Sequence, residues 1–442
     1  MRSIKALLML QFSLAAVASA QDSHYWTSQF GNRARLLGGA VIGSATDLSA
    51  VYYNPGAVAL MDEPELLLSA NTFQYSTLTV KDGLGPGEDV SSSRFNLTPS
   101  LVAGEIKFDA LGKNRVAYAF LTRREAQGRI LDRAAVTDIL PNPVGFASAA
   151  VSLDTRLSEY WIGGSWSRKL SESVGIGVSP FFTVRNHRLK VQGLTQALFD
   201  SGAGGIAVAG RDYDYQTWGF LAKASLAKKW QKWQLGATIT TPNLGLFGSG
   251  DTGLDRSEVI VGVGTEITTD FQNGIDAAYR SPLSLGFGAA RSFGSTKLHF
   301  SAEWFNDMGP RTVLDTEPFQ SQSTGETFDN NLVYQLDRVF NVAVGFEQKF
   351  SEDLAAYFGF RTDFSAVNSA DNVSNDTVSR WDLYHVSGGA TFTVAGNELT
   401  VGGVMAFGES QIGKNNVGLE RELTTTFVRA SFVLGFNFTF GS

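Results

Sequence analysis

The chain has 442 residues, of which 18% are charged, and 36 Lys and Arg against 43 Asp and Glu leave a formal net charge of -7. No basic excess is available to neutralise phosphates, which excludes nucleic acid as a partner. The absence of Cys excludes disulfides, thiolate chemistry, Cys-ligated metals and a lipidated Cys anchor.

The N-terminus reads as a secretion signal: Arg2 and Lys5 precede the apolar stretch Ala6 to Val17, and Ala18-Ser19-Ala20 supplies a small-residue cleavage site. Residues 1–20 are therefore expected to be removed, leaving Gln21 as the mature start. The apolar stretch is far short of the ~20 residues a helix needs to span a bilayer, and no later segment reads as such a helix. An exported chain of this kind is either soluble outside the inner membrane or a β-barrel. Its composition, with 47 Gly, 12% aromatics and charge below the roughly 25% of soluble domains, favours one large sheet in a membrane.

Residues 21–64 do not alternate, yet the run Leu36 to Ala59 is too apolar for a solvated tail. Something must cover it, and the expectation is an N-terminal plug inside a barrel formed by residues 65–442. From residue 65 onward the chain alternates with period two. In the last segment Val428, Ala430, Phe432, Leu434, Phe436, Phe438 and Phe440 fall on one face, and Arg429, Ser431, Val433, Gly435, Asn437 and Thr439 on the other. The same division recurs at 297–304, 340–347, 174–185 and 218–226. The polar face is rich in Gly, Ser and Thr with scattered charges, which suits a crowded, wet lumen better than the charged outer face of a sandwich.

Connection lengths agree. Tight turns are expected near Leu111 to Asn114, Leu170 to Ser173, Lys228 to Gln231, Phe293 to Thr296, Phe350 to Asp353 and Ala395 to Glu398. Between them lie long polar stretches read as outer loops, near Lys81 to Ser92, Ile130 to Arg156, Gln192 to Asp212, Gly248 to Gly274, Gly309 to Leu332, Ser365 to Val378 and Ser410 to Leu423. This spacing predicts an all-β fold, a transmembrane antiparallel barrel of about fourteen strands. The stretch Ser257 to Ile267 also alternates and is read as an excursion within its outer loop, since one extra strand would break the parity.

Gly38-Gly39-Ala40-Val41, followed by Ala45-Thr46-Asp47-Leu48-Ser49-Ala50-Val51-Tyr52-Tyr53-Asn54-Pro55-Gly56-Ala57-Val58-Ala59-Leu60, resembles the hatch segment of the FadL family of outer-membrane transporters for long-chain fatty acids and other hydrophobic compounds. In that hatch a Gly/Ala-rich run and an acidic position lead into Asn-Pro-Ala. Gly56 stands here in place of the usual Ala, and Gly441-Ser442 follow the terminal aromatic Phe440. The resemblance implies a Gram-negative outer-membrane location and passive uptake of a hydrophobic small molecule, fatty acid or hydrocarbon. It further implies capture by outer loops, a pocket above the plug, and sideways release into the bilayer when the region around Asn54 shifts. The gate residues it implies are Asp47, Asn54, Pro55 and Gly56. Read without the resemblance, Asn54-Pro55-Gly56 is a rigid bend leading into the first strand. The competing function for the same barrel is an outer-membrane component of a protein secretion or surface-assembly system.

No chemistry-bearing constellation competes with transport. Gly248-Ser249-Gly250-Asp251-Thr252-Gly253 fits a dinucleotide fingerprint but has no βαβ unit around it. His24, His187, His299 and His385 are scattered singly, so neither metal nor cofactor is expected. No G-x-S-x-G elbow supports a hydrolase, and no catalytic residue is assigned. Arg123, Arg185, Lys223, Glu303, Glu347, Arg361 and Arg429 are predicted to point inward and brace the plug by ion pairs. Trp161, Trp166, Trp218, Trp230, Trp233, Trp304 and Trp381 are read as interface girdle. The apolar trio Leu194, Leu198 and Phe199, read as lying in an outer loop, suggests a landing groove for the ligand. Outer-membrane lipid, detergent once purified, and a monomeric state complete the expectations.

Overall fold

The computed structural model describes residues 23–61, 66–69, 72–85, 87–98, 100–107, 112–135, 144–367, 371–374, 380–394, 397–412 and 423–438. The expected signal segment 1–20 and the terminal Phe440 lie outside the described residues. Three short helices come first: α1 (Asn32–Leu36), α2 (Ala50–Tyr53) and α3 (Pro55–Val58). Strands follow in the order β1 (Leu66–Ser69), β2 (Thr72–Gly85), β3 (Glu88–Thr98), β4 (Leu101–Ile106), β5 (Asn114–Ala135), β6 (Val144–Ser171), β7 (Val174–Phe199) and β8 (Gly204–Trp230). Next come β9 (Trp233–Thr240), β10 (Leu244–Ile260), β11 (Gly264–Asp276), β12 (Ser284–Phe293), β13 (Thr296–Phe305), β14 (Met308–Leu314), β15 (Phe319–Gln320) and β16 (Thr327–Phe328). The last six are β17 (Leu332–Leu336), β18 (Val339–Lys349), β19 (Leu354–Asp363), β20 (Leu383–Val394), β21 (Asn397–Ile412) and β22 (Leu423–Phe438).

All pairings are antiparallel. From β1 the ladders lead through β4, β5, β6, β7, β8, β9, β12, β13, β18, β19, β20 and β21 to β22, which pairs with both β1 and β2. Counting the broken pairs β1/β2, β3/β4, β9/β10, β11/β12, β13/β14 and β17/β18 as single passages gives about fourteen, the number expected from the turns. Higher up the sheet is not closed: β2 pairs with β3, but no ladder joins β3 to β5 among the described residues.

The short connections fall where predicted, between β6 and β7, β8 and β9, β12 and β13, and β18 and β19. Gly294, at φ 63, makes the turn after β12. The opposite end departs from expectation. Much of Ile130 to Arg156, Gln192 to Asp212 and Gly248 to Gly274 is not loop but continued strand, so that β6 reaches 28 residues and β10 and β11 form a long hairpin whose tip contains Ser257 to Ile267. Above the bilayer the outer face meets water, so the alternation persists with its sense reversed, buried Val151, Leu153, Leu189 and Val191 against exposed Asp154, Arg156, Arg188 and Lys190, and the polar outer set makes the strand read as a loop. In the stretch Gly309 to Leu332, β14 pairs with β17, and β15 with β16.

The burial pattern is inverted relative to a soluble sheet. On β7 the outward Phe182 is 56% exposed, whereas the inward Ser179, Thr183 and Arg185 are buried. On β22 the outward Phe432 and Phe436 are exposed and Arg429 is buried. The outward apolar run of β7 extends from Val174 to Val184, about 25 Å of height at about 3.3 Å per residue and a tilt of about 40°. So large an exposed apolar belt requires lipid rather than water as its solvent. Trp166, Trp218 and Trp230 are exposed on it, but Trp161 and Trp381 are buried inside and do not belong to a girdle. Both sit at inward positions where ring area fills the interior, a role that alternation does not separate from an interface role.

Candidate functional site

Residues 23–61 run against the inward face of the sheet and are almost wholly buried. The predicted inward charges hold them there. Arg123 Nη2 donates to Tyr25 O at 2.6 Å, and Arg361 Nε donates to Trp26 O at 3.0 Å. Asp363 accepts from Trp26 N at 2.8 Å and from Thr27 Oγ1 at 2.7 Å, and Glu303 accepts from Trp26 Nε1 at 2.7 Å. Arg33 pairs with Glu347 from β18, which also faces His299 at 3.3 Å. His24 Nε2 donates to Trp381 O at 2.7 Å. Burial pushes the His24 imidazole below its ordinary value, with the Asp363 carboxylate opposing the shift, so the ring is neutral. No group of three metal-ligating side chains occurs among the described residues.

Glycine on both the segment and the wall lets the two backbones come this close. A Cβ at Gly43 would lie 2.6 Å from Gly288 O, one at Gly56 would lie 2.7 Å from Gly175 O, and one at Gly345 would lie 3.0 Å from Leu37 O. The Gly-rich polar face of the alternation is therefore a seat for the segment as well as a wet wall. Gly38 and Gly39, with φ 65 and 82, turn the chain after α1 toward that seat.

Asn54, Pro55 and Gly56 lie in the seat. Asn54 is fully buried and donates through Nδ2 to Ile42 O at 2.8 Å and Leu226 O at 3.2 Å; Pro55 opens α3, and Gly56 N donates to Ser225 Oγ at 2.7 Å. Leu226 and Ser225 belong to β8, whose ladders to β7 and β9 are continuous, so the bend does not face an opening in the wall. Asp47 accepts from Ser49 N at 2.9 Å and holds the turn into α2.

The discontinuity in the wall lies elsewhere. Thr122 N donates to Ser100 O at 3.0 Å, and above it β5 bulges at Arg123 and no backbone ladder joins it to β3 among the described residues, the two being linked instead by Ser92 Oγ, which donates to Arg129 O at 2.7 Å. Behind this break is a cleft of about 50 Å³ lined by Thr27, Ser28, Gln29, Arg35, Glu125 and Arg429. Sequence pattern misses it because a change of pairing partner between Thr98 and Leu101 leaves alternation intact.

Above the segment the inward faces change character. Val151 and Leu153 of β6, Leu189 and Val191 of β7, and Tyr213 and Tyr215 of β8 form an apolar column with Tyr25 and Trp26 at its foot. Val313, Leu314, Leu332, Tyr334 and Leu336 of the β14–β17 ribbon fold in over it. Tyr25 stacks on Phe305 at 4.1 Å, and Tyr279 meets Tyr334 at 5.9 Å. A separate cavity of about 390 Å³ opens at the short-turn end, but Arg33, Lys297, Glu347, Lys349 and Glu398 line it, which suits water. Leu194, Leu198 and Phe199 are on the upper part of β7, not in a loop; Leu198 is exposed, and Phe199 packs on Ala207 and Ile260.

Neither a protein-family model nor a curated protein sequence matches the chain. Solved structures do. A Pseudomonas aeruginosa FadL homologue superposes with a TM-score of 0.56 at 14% identity, covering 95% of this chain and all of that one. The Pseudomonas putida toluene transporter TodX gives 0.58 at 13%, covering 94% and 99%. The Ralstonia pickettii toluene transporter TbuX gives 0.53 at 13%, covering 93% and 98%. The fold is therefore shared with these barrels from end to end.

Proposed function

We propose that the chain is an outer-membrane channel for passive uptake of hydrophobic small molecules, with residues 21–64 as its plug. One observation carries the reading: an apolar column stands above a polar, firmly bonded seat, inside a wall whose outer face is a lipid belt. Such a column offers a hydrocarbon or fatty-acyl chain the solvent that a lipopolysaccharide leaflet denies it. The solved structures of the same fold include transporters for toluene and channels for monoaromatic hydrocarbons, which supports this substrate class and a non-enzymatic role. The column is filled by the chain's own side chains, so entry requires the β14–β17 ribbon to shift. Exit is assigned to the break between β3 and β5, with Thr27 to Gln29 as the part of the plug that must move, in place of Asn54.

The test is uptake of radiolabelled toluene and oleate by cells lacking the protein. Wild type restores uptake of at least one compound, and Val191→Asp, which puts a charge into the column, removes the restoration while leaving the barrel assembled. Equal uptake with and without wild type would sink the reading.

A further inference from the structure

We propose that four cations on the outer face of β5, β6 and β7 bind the phosphate groups of a phosphorylated glycolipid in the outer leaflet. The inference rests on the membrane placement of the belt but not on what passes through the lumen. Cross-strand register builds the patch in two successive rows. In the first, Gln127, Arg156, Arg188 and Asp214 stand side by side; in the second, Arg129, Asp154, Lys190 and Asp212 do. Arg129, Arg156, Arg188 and Lys190 are all exposed. Arg156 and Arg188 are direct neighbours, an arrangement of like charges that is unfavourable unless an anion lies between them. The neighbouring Asp214 does not fill that role: it stands 3.9 Å from Arg188 with both side chains more than half exposed, a contact of little strength.

Height decides which anion. The outward belt ends at a row of Tyr160, Val184, Trp218 and Phe247, with Trp218 stacked on Phe247 at 5.8 Å. Aromatic rings of this kind mark the lipid–water interface. Arg156 and Arg188 lie four residues beyond it, about 10 Å higher on a tilted strand, at the level of lipid headgroups. Guanidinium forks match phosphate oxygens in pairs. Asp214 and Asp251 in the first row and Asp212 in the second, on β8 and β10, repel the same headgroup and confine it to the β5–β7 side, where Asp154 stands between Arg129 and Lys190 and leaves the adjoining Arg156 and Arg188 as the centre of the site.

The full-length protein, purified in detergent and stripped of lipid, is mixed with bisphosphorylated lipid A and weighed by native mass spectrometry. Wild type is expected to hold it about tenfold more tightly than the variant Arg129→Ala/Arg156→Ala/Arg188→Ala/Lys190→Ala, and lipid A without phosphates no better than that variant does. Asp212→Asn/Asp214→Asn is expected to strengthen binding. Millimolar inorganic phosphate should leave the complex intact. Equal retention by wild type and the quadruple variant, both migrating as folded barrels, would overturn the proposal, as would displacement by phosphate, which would mark a site for a free anion. Recovery of wild type in the soluble fraction would overturn the membrane placement instead.

Discussion

The two halves of the interior are held by different forces. Around residues 23–61 the contacts are directional: Arg123, Glu303, Glu347, Arg361 and Asp363 each grip a named atom of the segment, and glycines admit its backbone to the wall. Around the β14–β17 ribbon most of the contact is apolar packing, supplemented by bonds such as Ala278 N to Val313 O at 2.9 Å. Directional buried bonds hold one arrangement, because breaking any of them leaves an unpaired polar group. Packing is non-directional, and an apolar guest can replace the contacts that a displaced side chain gives up. The upper half is thus built to part readily, whereas movement in the lower half, including that of Thr27 to Gln29, requires the polar grip of Asp363 and Arg361 to be released.

That contrast can be broken most forcefully at Asp363. Asp363→Ala leaves Trp26 N and Thr27 Oγ1 without their acceptor beside Arg361, and is expected to destabilise the seated segment by about 3–5 kcal/mol. Tryptic cleavage at Arg33 and Arg35 in the assembled barrel measures it; continued protection would show that the polar grip is dispensable. Gly288→Val is next. Its side chain meets Ile42 and should cost about 1–3 kcal/mol by overpacking, read as earlier thermal release of the segment.

Tyr334→Ala sharpens the difference from the other side. Amide exchange in residues 308–336 should rise by about tenfold while Arg33 stays protected; simultaneous exposure of both would mean that the halves are one cooperative unit. The smallest effect is expected from pH. His24 is neutral when seated and its proton affinity is lowered by burial, so below about pH 6.5 the released chain takes up a proton that the seated one refuses. Seating is therefore strongest above that pH and weakens as pH falls toward 5, a trend that His24→Asn should flatten in the same thermal-release assay.

Much of this was legible in advance where chemistry repeats. Arg185, Lys223, Glu347 and Arg429 were placed inside by alternation alone, and all are buried. The tall strands above the membrane were not legible, because on β6 and β7 the apolar set passes from the outer face to the inner one, with Val151, Leu153, Leu189 and Val191 buried, which leaves a polar outer set that reads as loop. Nor was the break between β3 and β5, since pattern reports a residue's face and not its neighbour, or the burial of Trp161, whose neighbours Tyr160 and Ile162 are as apolar as it is, and of Trp381, which lies outside any strand. The bend at Asn54 was recognised as rigid, but which strand it would meet is a matter of docking.

The sequence by itself determined the side of the wall on which most residues of the membrane belt stand and the end at which the chain turns tightly, because both are local consequences of a two-residue repeat and of turn chemistry. Only the tertiary structure decided where the N-terminal segment seats, which strands part, and what closes over the column. Those depend on register between residues hundreds of positions apart, such as Arg33 with Glu347 and Trp26 with Asp363, and no local pattern encodes such a meeting.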